Sequence, residues 1–127
     1  VADILVMHPD IVILDEPAAA LDPKHTDMLN KIIDQMTESG ITVLISTHDP
    51  DYAFSWADQI ILFHQGKVLK AGSPLEVFSD RPALNLTNLS QPAVLSIYES
   101  LCRKKMINEK FPAPRSLMEL LHFIEGI

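Results

Sequence analysis

Two adjacent carboxylates, Asp15 and Glu16, stand directly after the aliphatic run Ile11-Val-Ile-Leu14. Four aliphatics without alternation suit a strand of a parallel sheet, and open α/β sheets bind ligands beyond the C-terminal ends of such strands. One carboxylate there can hold Mg²⁺, usually through water, because the ion keeps much of its hydration shell. A second can polarise a water for attack. Further along, Ser46-Thr-His48-Asp49 puts an imidazole at the end of another aliphatic run, Ile41-Thr-Val-Leu-Ile-Ser46. A histidine at such a place can donate a hydrogen bond to a phosphate oxygen as charge shifts in a transition state. The competing reading is plainer: these groups end strands and face solvent, and a lone strand-end histidine is more often that than catalytic. His8, His25, His64 and His122 lack metal-ligand spacing and read as structural or solvated.

The elements that must position these groups follow from pattern. The strand over 10–15 leads to Asp22-Pro23, a capping carboxylate followed by proline at the first helical position. Met28, Leu29, Ile32, Ile33 and Met36 then share one side of a helix that Gly40 stops. With Ile41–Ser46 as the next strand, this makes a strand–helix–strand crossover. A short helix is expected around Tyr52–Trp56. Ile60–Phe63 and Lys67–Lys70, flanking Gly66, read as a hairpin. Ser73-Pro-Leu-Glu76 is a capping box opening a short helix through Phe78.

Near Ser79–Ala83 the character changes, which sets a boundary between a first part, 1–80, and a helical second part, 81–127. Asn, Thr, Ser and Pro punctuate Ala83–Pro92, and helical spacing returns with Val94, Leu95, Tyr98, Leu101 and Cys102. Arg103, Lys104 and Lys105 end that helix, where cations favour the dipole. Phe111-Pro-Ala-Pro114 reads as a rigid loop and Ser116-Leu-Met-Glu119 as a second capping box. Val1–Met7 looks like the end of a helix already under way, so the sequence reads as a truncation.

Composition bounds the function. At 127 residues and 47% apolar the chain can bury a modest core, which argues against disorder. A net charge of −7 gives no footprint for nucleic acid or anionic lipid. No apolar run approaches the ~20 residues that cross a bilayer, so any membrane connection passes through a partner. The single cysteine, Cys102, suits a reducing compartment. Asn85-Leu-Thr87 and Asn88-Leu-Ser90 match a glycosylation pattern, read here as chance.

Ile11–Pro17, then Ala20-Leu-Asp22-Pro23, then Ser46–Asp49 resembles, in that order, the Walker B, D-loop and switch-histidine segments of ATP-binding-cassette ATPases. The resemblance implies that Asp15 serves Mg²⁺, that Glu16 positions or activates water, and that His48 contacts the γ-phosphate of ATP. It places Asp22 in the loop that touches an opposing subunit. It also implies a partial P-loop NTPase fold: α/β, with a parallel sheet, a C-terminal hairpin and a small helical extension. There are departures. Ala18, Ala19 and Ala20 stand where the family often has Thr, Ser or Gly. The chain carries no Gly-x-x-x-x-Gly-Lys-Ser/Thr phosphate loop, glutamine loop or Leu-Ser-Gly-Gly signature. Those parts are expected upstream in a complete subunit, and the piece alone is expected to be inactive.

The segments Ile60–Val68 and Ala71–Phe78 are similar to the hairpin and helix that close many transporter ATPase domains. Asn88–Val94 and Phe111–Leu120 look like the helical extension of cobalt-type and energy-coupling-factor importer ATPases. That resemblance implies an ATPase subunit at the cytoplasmic face of a membrane, paired with a second cassette and with transmembrane subunits, energising uptake of a metal ion (cobalt or nickel) or a vitamin. Two alternatives stand beside it. A repair or chromosome-structuring ATPase would carry long coiled coils, and no sustained heptads occur here. The tail 81–127 could instead act mainly as a dimerisation module.

Overall fold

A computed structural model gives the structure, which describes residues 8–108 and 113–126. The expected helix end at Val1–Met7 lies outside the described residues, as does Phe111-Pro112 of the expected loop. The chain divides into two compact units, Val1–His48 and Asp49–Ile127.

In the first unit, β1 (Ile11–Asp15) pairs in parallel with β2 (Thr42–Ser46), matching Ile11 with Thr42 and Asp15 with Ser46. The crossover helix α1 (Pro23–Glu38) starts as its sequence dictates: Asp22 Oδ1 accepts the His25 N–H at 2.8 Å, with proline in the first turn. It stops at Gly40, whose φ of +88° takes the left-handed conformation after the cap. Gly40 N–H then reaches the Thr37 carbonyl and Ile41 N–H the Met36 carbonyl, both at 3.0 Å, satisfying carbonyls the helix leaves open. Val12, Ile33 and Met36 are buried.

Four aliphatics in a row would suit a strand covered on both faces, but the described residues of this unit cover only one face of β1. Ile13 is 73% exposed and Ile11 58%, and Leu44, opposite Ile13, is also exposed. The reason is local: the described part of this unit supplies one crossover helix, which covers a single face of the two-stranded pair.

The second unit begins with α2 (Pro50–Trp56), capped by Asp49, whose Oδ1 accepts the N–H groups of Asp51 and Tyr52. The hairpin β3 (Ile60–His64) and β4 (Lys67–Gly72) is closed by Gln65 and Gly66, both with positive φ, which suits the right-handed twist of two-residue hairpins. Helix α3 (Pro74–Phe78) has Ser73 as its cap.

Helix α4 (Arg81–Leu86) runs into the stretch, Ala83–Pro92, that Asn, Thr, Ser and Pro punctuate in the sequence. Asp80 caps it through the Ala83 N–H, Pro82 sits in the first turn, and Lys70 Nζ holds the other Asp80 oxygen at 2.9 Å. Helices α5 (Ala93–Arg103) and α6 (Leu117–Glu125) follow. Ser116 caps α6 as expected, but Glu119 reaches back to the Arg115 N–H.

The core of this unit joins both sides of the compositional boundary. Phe54 and Phe78 meet edge to face, ring centroids 5.9 Å apart, and share a cluster with Leu84, Val94, Leu95, Tyr98 and Leu120. Residues 79–83 therefore mark a change of sequence character and not a gap in packing.

Two long-range contacts complete the unit. Helix α5 starts after Pro92, which has no side-chain oxygen to cap it. The Asp51 carboxylate takes that place, accepting the Ala93 N–H at 2.7 Å. At the opposite end of α2, the Arg115 guanidinium donates to the carbonyls of Phe54 (2.9 Å) and Ala57, groups that a helix C-terminus leaves without intrahelical partners.

Candidate active site

Parallel pairing in register brings the tips of β1 and β2 side by side. Asp15, the last residue of β1, faces Ser46, the last of β2, and the Ser46 hydroxyl donates to Asp15 Oδ1. One residue later the chain bends. Glu16 has φ +46°, a left-handed conformation that L residues adopt at a cost, and its N–H donates to the Ser46 carbonyl at 2.8 Å. The bend swings the Glu16 side chain toward the end of β2, where Oε1 accepts the backbone N–H of His48 at 2.8 Å. The His48 imidazole Nε2 lies 3.7 Å from the same oxygen and is almost wholly exposed, at 96%.

Asp15, Glu16 and His48, named from sequence, thus occupy one end of one strand pair. Two acids, a hydroxyl and an imidazole open to solvent can together hold a cation, orient a water and meet an anion. The exposed imidazole has room for a ligand, since its ring is not consumed by packing.

After Glu16 the loop runs as two backbone turns. Ala19 N–H bonds the Glu16 carbonyl at 3.1 Å and Leu21 N–H the Ala18 carbonyl at 3.3 Å. Backbone groups therefore close this loop without the hydroxyls missing from Ala18, Ala19 and Ala20. Ala20 takes φ +63°.

Asp22 makes its hydrogen bonds to His25, not to the other three: Oδ1 accepts the His25 N–H and lies 2.7 Å from its Nδ1. The His25 backbone N–H, aided by the His25 ring, holds the Asp22 carboxyl below its ordinary value of 3.8. From sequence His25 reads as structural or solvated; its position three residues after a capping aspartate is the signal for this pairing.

Among the described residues, no three His, Cys, Asp or Glu side chains gather into a complete metal site. Mg²⁺ needs no such cage. It takes one or two carboxylates and completes an octahedron with phosphate and water oxygens. Asp15, beside Glu16 at a strand tip, fits that donor set. No helix among the described residues is long and apolar enough to cross a membrane.

No protein-family model matches the chain. Curated relatives do. The energy-coupling factor transporter ATP-binding protein EcfA2 of Methanospirillum hungatei is 37% identical over 127 residues, covering 98% of this chain and 31% of that protein. The energy-coupling factor transporter ATP-binding protein EcfA of Methanococcus maripaludis is 37% identical over 128 residues, 99% of this chain and 46% of the relative. Among solved structures, CbiO1 of Clostridium perfringens, described as part of the ABC transporter complex CbiONQ, superposes with a TM-score of 0.56 at 36% identity. That match covers 77% of this chain and 39% of CbiO1. An ATP-binding cassette of an ABC transporter in its ADP conformation shares the fold, with a TM-score of 0.59 at 23% identity over 66% of this chain and 35% of its own. The chain spans less than half the length of these curated relatives.

Proposed function

We propose, for a chain related over nearly all its length to the ATP-binding proteins of ABC and energy-coupling-factor transporters, that it supplies the hydrolytic end of such an ATPase. Residues 1–80 are the C-terminal part of the ATPase domain and 81–127 its helical extension. The observation that supports this most is the convergence of Asp15, Glu16 and His48 at adjacent strand tips.

Each residue then has a task set by its position. Asp15, oriented by the Ser46 hydroxyl, serves Mg²⁺ through the ion's water shell. The ion, when bound with ATP, supplies positive charge to the phosphate oxygens. Glu16 orients the attacking water and accepts its proton at a carboxylate oxygen. The exposed His48 imidazole donates a hydrogen bond to the γ-phosphate, strengthening as charge moves onto it. Asp22, in the loop after Glu16, meets a second cassette. The chain carries no phosphate-binding loop and spans less than half of its relatives' length, so the ATP turnover proposed is that of a subunit of the relatives' length.

The relatives' transporter names support the wider reading: a peripheral subunit at the cytoplasmic face of a membrane, pairing with a second cassette and driving transmembrane subunits that import a metal ion, cobalt or nickel, or a vitamin. The test is ATP turnover by the longer subunit with Asp15→Asn, measured against Mg²⁺ concentration. The half-saturating Mg²⁺ concentration should rise at least about tenfold, the scale expected for weakening one ligand. An unchanged Mg²⁺ dependence removes Asp15 from the role.

A further inference from the structure

The register that sets Asp15 opposite Ser46 puts both side chains on one face of the strand pair, since directly paired residues of neighbouring strands point the same way. There the Ser46 hydroxyl donates to Asp15 Oδ1. The backbone carbonyl of Ser46 accepts the Glu16 N–H at 2.8 Å, which fixes the end of β1 against β2 and keeps the hydroxyl in reach of the carboxylate. Among the described residues no Lys, Arg or His pairs with Asp15, and its Oδ2 accepts no hydrogen bond. Asp15 therefore keeps its charge for a ligand. It offers one oxygen freely and the other only by giving up the serine.

Resting on the proposed role of Asp15, we infer that Ser46 is a specificity-determining residue for the divalent cation: by engaging Oδ1 it leaves Asp15 one oxygen to present, which suits Mg²⁺ and disfavours Ca²⁺. The two ions ask different things of a carboxylate. Mg²⁺ is small, strictly octahedral and slow to give up water, so one oxygen facing its hydration shell is enough. Ca²⁺ sheds water readily, gathers about six to eight oxygens and often takes both oxygens of one carboxylate. Chelation of that kind at Asp15 breaks the Ser46 hydrogen bond, and a bond to a charged acceptor is among the stronger ones. The hydroxyl thus opposes Ca²⁺ and leaves Mg²⁺ unhindered. Without it, Oδ1 is free and the carboxylate can turn to present both oxygens.

The experiment uses the longer subunit with Ser46→Ala, Ser46→Thr, Ser46→Val and Asp15→Asn. Mn²⁺ is bound together with a non-hydrolysable ATP analogue, and its displacement by Mg²⁺ or by Ca²⁺ is followed by electron paramagnetic resonance. The readout is the ratio of the two competition constants, which needs no turnover. Ser46→Ala should shift that ratio toward Ca²⁺ by about tenfold, the low end for a group that orients a metal-bearing carboxylate, because Asp15 and Ser46 are both exposed to competing water. Threonine keeps the hydroxyl and should stay within about twofold of wild type, while valine, its isostere without the hydroxyl, should follow alanine. In turnover assays with Mg²⁺, Ca²⁺ should inhibit Ser46→Ala at about tenfold lower concentration than wild type. A merely structural role for Ser46 moves both constants together and leaves the ratio alone. The inference is overturned if a folded Ser46→Ala protein keeps the wild-type ratio within about twofold; should alanine not fold, the valine and threonine pair decides, equal ratios overturning it. Unchanged constants for both ions in Asp15→Asn overturn the parent reading and this one together. Weakened binding of both in Asp15→Asn beside an unchanged ratio in Ser46→Ala removes the serine alone.

Discussion

Two tasks meet at Glu16, and substitution can separate them. Its Oε1 accepts the His48 backbone N–H at 2.8 Å, and the proposed function assigns the attacking water to the same carboxylate. Glutamine at 16 presents an amide oxygen with equal reach, so Glu16→Gln preserves the link to β2 and removes only the charge. Alanine removes both. A hydrogen bond to a charged acceptor contributes ~1.5–3 kcal/mol and one to a neutral acceptor ~0.5–1.5 kcal/mol. The Glu16 side chain is 34% exposed, so water takes over part of the loss and the low ends of those ranges apply. Glutamine should therefore cost about 0.5–1 kcal/mol and alanine about 1–2 kcal/mol. Glycine at 16 adds a third arm. The φ of +46° is costly for an L residue, by about 1 kcal/mol, and glycine removes that strain. Glu16→Gly should thus equal or exceed Glu16→Ala in stability while being as inactive.

Two assays on the longer subunit read this out. ATP turnover should fall by ~10²- to 10⁴-fold in all three variants, the usual contribution of a positioned base. Thermal midpoints should then rank Gln above Ala, by ~2–4 °C per kcal/mol for a domain of ~150–250 residues. Nucleotide affinity should stay close to wild type for Gln. Turnover within tenfold of wild type in Glu16→Gln refutes the base role, and equal midpoints for Gln and Ala refute the structural one.

Three further outcomes are expected. Ala20→Gly, at φ +63°, should leave stability unchanged or raise it by up to about 1 kcal/mol, against the ~0.5–1 kcal/mol loss usual for this change in a helix or strand; a loss of that size would contradict the left-handed geometry. Phe54→Ala should destabilise the subunit by ~3–5 kcal/mol in denaturant titration, since the ring is buried and meets Phe78 edge to face, while Phe54→Leu should cost under ~2 kcal/mol; similar losses for both would show the ring is not packed as described. Asp22 and Asp80 should titrate below 3.8, Asp22 because of His25 and Asp80 because of the Lys70 ammonium and the Ala83 N–H. Depressed native values mean that their contribution is complete above the unfolded value and fades as pH falls through the native one. Carboxyl NMR midpoints at or above 3.8 would contradict both caps.

Elements whose signals are local were readable from sequence. Asp22-Pro23 with Gly40 bounded α1, Gln65-Gly66 closed the hairpin, and Ser73 and Ser116 opened their helices, because caps and turns are decided by neighbours within a few residues. The strand–helix–strand unit followed from two aliphatic runs joined by a helix, while the register that sets Asp15 opposite Ser46 came only with the structure. Helix α4 was hidden by the Asn, Thr, Ser and Pro that follow from Asn85 to Pro92, although Asp80 and Pro82 supply a capping carboxylate and a first-turn proline as Asp22 and Pro23 do. What no local pattern could show is a contact across sequence. The cap of α5 comes from Asp51, and the C-terminus of α2 is satisfied by Arg115. Composition also suggested a division near residue 80 that packing ignores, since Phe54 and Phe78 are buried by side chains from beyond it. At the site, residue types were legible, but the left-handed bend at Glu16 that turns its carboxylate to the His48 N–H was not. Nothing in the residue type of glutamate signals a positive φ.

The central claim is that the tips of β1 and β2 form the hydrolytic end of an ATP site. A structure of the longer subunit carrying Glu16→Gln, with ATP and Mg²⁺ bound, tests it most directly. The account places the γ-phosphate within hydrogen-bond reach of the His48 imidazole and the ion beside Asp15. Density showing the triphosphate bound away from both strand tips would contradict it.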